Sequence, residues 1–432
     1  MASSASARGG RGLLLPAAAA AVVVLVLLDA VAPAAGCYPR VFSFGDSLAD
    51  TGNYPFVYGN DSGAAALRPP YGETFFHRAT GRASNGRLVV DFIADTLGLP
   101  FVRPYLSGRS AEDFACGANF AVGGATALSP DEIRSRGFHD MGNQVGLDME
   151  MKWFRDLLDV LCPGNLTGCS DMMNQSLFLV GEIGGNDYNA PLLSGVPLEK
   201  IRTITPSVVA KISSTIRIAI YDELSLQELI QLGAKNLVVP GNLPIGCVPD
   251  YLMIFKSDKE EDYEPQTGCL RWMNEFSQYH NKLLVEELKK LRKLHPGVTI
   301  IYADYYGAAM EIFLYPEQYE YKLCDNPEKY GSWDGFHPSE SAYRAIATGL
   351  LLGSYTRPSI ASTTTSCPQL MELGSSAEYK PLYDLFMGDG SQLTKVKKSS
   401  IVDVEAIPAT MHEGEDIYPQ ELMIRRSSTQ ED

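Results

Sequence analysis

The chain has 432 residues, 45% of them hydrophobic and 10% aromatic, a composition that supports a full globular core. Its formal net charge of -16 at pH 7 argues against nucleic acid and anionic membranes as partners, because an acidic surface repels phosphate. The charge says little about a neutral substrate, and the length fits one large α/β domain or two small ones.

The N-terminus reads as a targeting segment. Arg8 and Arg11 precede an apolar run from Leu13 to Leu28, and Ala32-Pro33-Ala34-Ala35-Gly36 supplies small residues for cleavage. The run is short for a bilayer span of about 20 residues. A signal peptide over residues 1–36 is therefore expected, leaving a secreted, extracellular chain without a stable membrane span. All eight cysteines (Cys37, Cys116, Cys162, Cys169, Cys247, Cys269, Cys324 and Cys367) follow the expected cut. An even number in an exported chain favours disulfides. Cys162 with Cys169 and Cys247 with Cys269 are candidate pairs, although sequence does not fix connectivity. Asn60, Asn165 and Asn174 open glycosylation sequons. No CxxC pair or His/Cys cluster points to zinc, so no metal or organic cofactor is expected.

Strand-like and helix-like stretches then alternate. Val41 to Phe44 is a buried-strand candidate, and Leu88 to Leu97 and Gln144 to Leu161 carry apolar residues at helical spacing. Leu177 to Val180 ends in a Gly-rich turn, Val208 to Leu232 reads as a long helix, and Leu237 to Val239 stops at Pro240-Gly241. Trp272 to Leu294 is a charged amphipathic helix, Val298 to Tyr302 the strand after it, and Ser339 to Leu352 the last helix. Strands separated by helices of this length imply a central parallel sheet covered on both faces, a three-layer α/β/α sandwich. The domain is placed at residues 37–358. Residues 359–432 carry mixed charge without a sustained period and read as a flexible C-terminal extension.

Two short segments carry the chemistry. In Phe42-Ser43-Phe44-Gly45-Asp46-Ser47-Leu48-Ala49-Asp50-Thr51-Gly52-Asn53, Ser47 stands just past a strand end, where parallel sheets bind ligands. The bland alternative is a capped helix start, with Ser47 or Asp50 holding backbone N–H groups. Far along the chain comes Trp333-Asp334-Gly335-Phe336-His337-Pro338. A serine hydroxyl attacks only when a base takes its proton, and histidine serves that role when an acceptor fixes its tautomer. Asp334, three residues before His337, can be that acceptor. The other histidines, His77, His139, His280, His295 and His412, read as ordinary core or surface residues. An oxyanion also needs donors. The stretch from Gly117 to Ala125, with Gly123 and Gly124, offers backbone N–H groups, and Gly181 to Asn189 presents the side-chain amide of Asn186.

Together the four segments resemble the GDSL esterase/lipase family, within the SGNH hydrolases, over roughly Cys37 to Pro358. Gly81-Arg82-Ala83-Ser84-Asn85-Gly86-Arg87 and the stretch from Val239 to Cys247 are similar to the plant branch. The resemblance implies Ser47 as nucleophile, with Asp334 and His337 completing the catalytic set. It implies the oxyanion hole formed by Ser47, Gly124 and Asn186, and a parallel sheet flanked by helices. It also implies small-molecule or polysaccharide substrates: esters of lipids, of plant phenolics or of acetylated wall polysaccharides. A monomer is expected. The chain departs from the pattern between Gly307 and Ser332, where plant relatives carry a longer Cys- and Gly-rich stretch, so Cys324 is expected to lack its usual partner; the long C-terminal tail is also atypical. This motivates an alternative: a catalytically impaired relative that binds cell-wall polysaccharide or a protein.

Overall fold

The computed structural model describes residues 38–138, 142–164, 166–217, 229–314, 331–352, 355–358 and 360. The expected leader, Cys37, Cys324, Cys367, His139, His412, Asn165, most of the Gly307–Ser332 stretch and nearly all of the C-terminal extension lie outside them. By its contacts the chain divides into Met1–Gly36 and Cys37–Asp432, and every described residue belongs to the second unit.

Six strands form one sheet in the order β2-β1-β3-β4-β5-β6. They are β1 (Val41–Phe44), β2 (Gly117–Asn119), β3 (Leu177–Val180), β4 (Asn236–Pro240), β5 (Thr299–Ala303) and β6 (Thr356–Arg357). The first five run parallel, with Phe42 facing Phe178 in register and Phe178 facing Leu237. The edge strand β6 is antiparallel to β5, so the sheet is mixed where a purely parallel one was expected. β2 also went unread as a strand: it is three residues long and opens with Gly117, leaving no run of β-branched residues to mark it.

Strands β1 and β3 are buried at all four of their positions, because helices cover both faces. Side chains alternate along them with period two. Phe42, Phe44, Phe178, Val180, Leu237, Val239 and Ile300 pack on one side against α2 (Leu147–Leu161), α4 (Thr205–Ile216) and α5 (Arg271–Leu294). The central ring of that layer is Phe154 of α2, edge-on to Phe42, Phe44, Phe120 and Phe178 with centroids 5.3 to 6.0 Å apart. Val41, Leu177, Leu179, Val238 and Ile301 face α1 (Val89–Thr96), α6 (Tyr305–Leu314) and α7 (Glu340–Leu351). Helix α3 (Asn186–Leu193) begins at a site residue, and shorter helical turns fill the connections between these elements. The stretch read as one helix from Val208 to Leu232 is shorter: α4 ends at Ile216, Arg217 is extended, and Leu229 to Gly233 form a turn. The β-branched Thr215 and Ile216 at its end favour that stop.

Both candidate disulfides are formed, Cys162–Cys169 and Cys247–Cys269; Cys116 is a free thiol. Asn60 and Asn174 are exposed. No helix among the described residues is long and apolar enough to cross a membrane.

Candidate active site

The strand order places β1 between β2 and β3, so the connections leaving its neighbourhood diverge. In open α/β sheets the crevice beyond the carboxyl ends at such a point is where ligands bind. Ser47 follows β1, the Gly123-Gly124 turn follows β2, and Asn186 follows β3. Three segments far apart in sequence therefore meet at one end of the sheet.

Local bonds hold each of them. After β1 the chain turns at Gly45, whose φ is +149°; a Cβ there would lie 2.6 Å from the Glu182 carbonyl oxygen, so only glycine fits. The Asp46 N–H donates to that same carbonyl. Asp50 accepts from the backbone N–H groups of Gly52, Asn53 and Tyr54 and, across the crevice, from Gly123, at 2.6 to 3.0 Å. Asn53 Nδ2 reaches the carbonyls of Asn119 and Ala121, and Asn119 Nδ2 reaches that of Ala49. These bonds lay the Gly-rich turn against the nucleophile segment: a Cβ on Gly123 would sit 3.8 Å from the Cβ of Ser47. Asn186 Nδ2 donates to the Ala125 carbonyl at 3.0 Å and to Asp46 Oδ2 at 3.3 Å, tying the third segment to the other two.

The fourth segment comes from the turn before α7. Asp334 Oδ1 accepts from the backbone N–H groups of Phe336 (2.9 Å) and His337 (2.7 Å), which folds the loop back on itself. His337 Nδ1 lies 2.7 Å from Asp334 Oδ2, and His337 Nε2 lies 2.9 Å from Ser47 Oγ. A neutral imidazole satisfies both contacts by donating from Nδ1 to the carboxylate and accepting the Ser47 hydroxyl on Nε2. Among the described residues no acceptor takes the backbone N–H of Ser47 or of Gly124. The structure thus brings together all the sequence-nominated residues, Ser47, Gly124, Asn186, Asp334 and His337. Of the other histidines, His280 is buried beside Tyr188 and burial lowers its pKa to about 4, His77 is exposed, and His295 is half-buried with its pKa lowered by burial.

The charges around this chain favour a base at His337. Burial pushes its pKa down, but the carboxylates of Asp334, Asp46 and Asp250 outweigh burial and leave it above the ordinary histidine value. Burial would raise Asp334, yet His337 and the Tyr71 hydroxyl bring its pKa down to about 2. Behind Ser47 lies a set of buried carboxyl groups. Burial raises Asp46 and Asp50 to about 6 and Asp187 to about 7. Burial lifts Glu150 and Glu182 well above the usual carboxylate range, and the neighbouring Asp46 carboxyl raises Glu182 further. Asp187 accepts from the backbone N–H groups of Ala127 and Leu128 and so steadies the far side of the Gly-rich turn.

Sequence reasoning missed two contributors. Asp50 was weighed only as a helix cap, whereas its fourth bond, to Gly123, spans two segments. Tyr71 was not nominated at all; its hydroxyl donates to Asp334 Oδ2 at 2.8 Å from 263 residues away, and no local pattern signals such a contact.

A family model described as GDSL-like Lipase/Acylhydrolase matches residues 41–350. The chain is 42% identical over 349 residues to a GDSL esterase/lipase of Arabidopsis thaliana, covering 74% of this chain and 84% of that protein. It is 38% identical over 361 residues to the sinapine esterase of Brassica napus, covering 77% of this chain and 90% of the relative.

Proposed function

The chain belongs to the GDSL-like lipase/acylhydrolase family and is a carboxylic ester hydrolase; on that premise we propose that it works through an acyl-enzyme on Ser47. The observation that carries this reading is the connected chain from Ser47 Oγ to His337 Nε2 (2.9 Å) and from His337 Nδ1 to Asp334 Oδ2 (2.7 Å). His337 takes the Ser47 proton as the oxygen attacks the acyl carbon. Asp334 holds the reactive tautomer and stabilises the imidazolium. The backbone N–H groups of Ser47 and Gly124 take the oxyanion, and Asn186 joins them by giving up its longer bond, to Asp46. His337 then protonates the departing alcohol. A water, deprotonated by the same ring, attacks the acyl-Ser47 ester, and the acid leaves.

The connected chain supports a working hydrolase over a relative that only binds. Ser47→Ala should abolish turnover and labelling by a fluorophosphonate, whereas unchanged labelling would remove Ser47 from the mechanism. Substrate class follows from a panel: sinapine, the ester named for the Brassica napus relative, with short- and long-chain acyl esters and acetylated xylan. Export of the mature chain is part of the proposal, with glycans at Asn60 and Asn174. Its N-terminal sequence after secretion from a plant host should begin at Gly36 or Cys37.

A further inference from the structure

We propose that Tyr71 is a positioning residue for the reaction, setting through Asp334 the proton affinity of His337. The inference rests on the acyl-enzyme reading above and deepens it. The Tyr71 hydroxyl donates at 2.8 Å to Asp334 Oδ2, the same oxygen that receives His337 Nδ1 at 2.7 Å. The other carboxylate oxygen, Oδ1, is already occupied by two backbone N–H groups. Tyr71 therefore shares the one oxygen that faces the base. A carboxylate oxygen that accepts a second hydrogen bond carries less charge toward its first partner. The phenol thus weakens the pull of Asp334 on the imidazolium and moderates how tightly His337 keeps its proton.

The tyrosine is held for this contact. Its ring meets Trp333, the residue before Asp334, edge-on with centroids 5.7 Å apart. The next residue, Gly72, has φ +74°, and a Cβ there would lie 2.0 Å from the Arg78 carbonyl oxygen, so the turn that presents Tyr71 requires glycine. Gly72 N–H donates to the Ser84 carbonyl and Thr74 N–H to that of Asn85. Asn85 Oδ1 in turn accepts from the Glu340 N–H at 2.7 Å, and the Glu340 carboxylate binds Thr74 Oγ1 at 2.6 Å and Arg87 at 2.8 Å. The Tyr71–Arg87 stretch thus grips the His337 loop on both sides, at Asp334 before the ring and at Glu340 after it. This gives the Gly81–Arg87 motif a task that the reaction scheme alone leaves open. Burial and the Asp334 charge raise the Tyr71 pKa far above the ordinary tyrosine value, so it remains a donor throughout the working range.

The test is the pH profile of kcat/KM on p-nitrophenyl acetate for Tyr71→Phe and for a fluorinated tyrosine placed at position 71, whose more acidic phenol is a stronger donor. The groups facing His337 are Asp334, Asp46 and Asp250, and both variants leave all three in place. Tyr71→Phe should move the acid limb upward by about half a pH unit and lower kcat about three- to tenfold, with KM within about twofold. The fluorinated residue should move the limb the opposite way. Limbs that stay put, shifts of the same sign in both variants, or changes confined to KM or to Tm would overturn the proposal. If Tyr71→Phe does not fold, the near-isosteric fluorinated variant decides alone. Ser47→Ala, run beside them, separates the two failures. A Ser47→Ala protein that still turns over defeats the acyl-enzyme reading itself, while an inactive one beside unshifted Tyr71 variants defeats only the role of Tyr71.

Discussion

Replacing Asp334 by Asn tests the geometry of the base most directly. The change keeps volume and shape, so the outcome depends on which way the amide points. Asp334 Oδ1 accepts from the N–H groups of Phe336 and His337. Turning the NH2 group toward those two donors would cost two hydrogen bonds, about 1 kcal/mol each, and set donors against donors. The amide oxygen must therefore take the Oδ1 place, and the NH2 group must face His337 Nδ1. That nitrogen then has to be an acceptor, so the ring proton moves to Nε2, the atom that has to receive the Ser47 proton. A penalty of about 2 kcal/mol for the productive tautomer alone is a factor of roughly 30. Loss of the charge that stabilises the imidazolium adds the rest, and kcat should fall on the order of 10³- to 10⁴-fold, with KM little changed. Initial rates on p-nitrophenyl acetate above the acid limb, with Tm recorded for the same preparation, give the answer. A folded Asp334→Asn protein within tenfold of the native kcat would refute the reasoning, because His337 would then not depend on a carboxylate at Nδ1.

Four further outcomes follow from the same structure. Asn186→Ala should lower kcat about 10²- to 10³-fold through loss of an oxyanion donor, measured by steady-state hydrolysis, while a fluorophosphonate still labels Ser47. Because carboxylates hold the pKa of His337 above the ordinary value, activity should fall as pH drops through that raised pKa, and the limb of kcat/KM should lie above pH 6.5. Stability should run the other way. Asp46, Asp50 and Asp187 have folded pKa values of about 6, 6 and 7, above their unfolded ones, so their stabilisation is complete in acid and is lost as pH rises through 6 to 7. His280, lowered to about 4, and His295, also lowered, oppose them, while raised His337 adds to them, so Tm should be higher near pH 5.5 than near pH 8, and a melting series showing the reverse would contradict the burial argument. In the core, Phe154→Ala should cost about 3 to 5 kcal/mol by chemical denaturation, since four aromatic rings lose their common partner.

Periodicity and end signals made much of the fold legible. The expected strands Val41–Phe44 and Leu177–Val180 coincide with β1 and β3, and the Trp272–Leu294 helix begins one residue earlier as α5. Those segments carry strong local patterns. Strand β2 did not, because Gly117-Ala118-Asn119 owes its extended form to pairing with β1 rather than to its own propensity. The same division runs through the site. Ser47, Gly124, Asn186, Asp334 and His337 stand in short strings where a strand end or a Gly-rich turn announces them. Tyr71 and the Asp50–Gly123 bond owe their roles to distant partners, and a chain read in order holds no trace of who those partners are.

The 290 residues between Ser47 and His337 have a consequence for synthesis. The nucleophile emerges from the ribosome early, while its base arrives only when the domain is nearly finished. Until then the serine is an ordinary alcohol with no reactivity toward nearby acyl groups. A nascent or prematurely ended chain is therefore harmless, and esterase activity itself reports that the Asp334–His337 loop has docked.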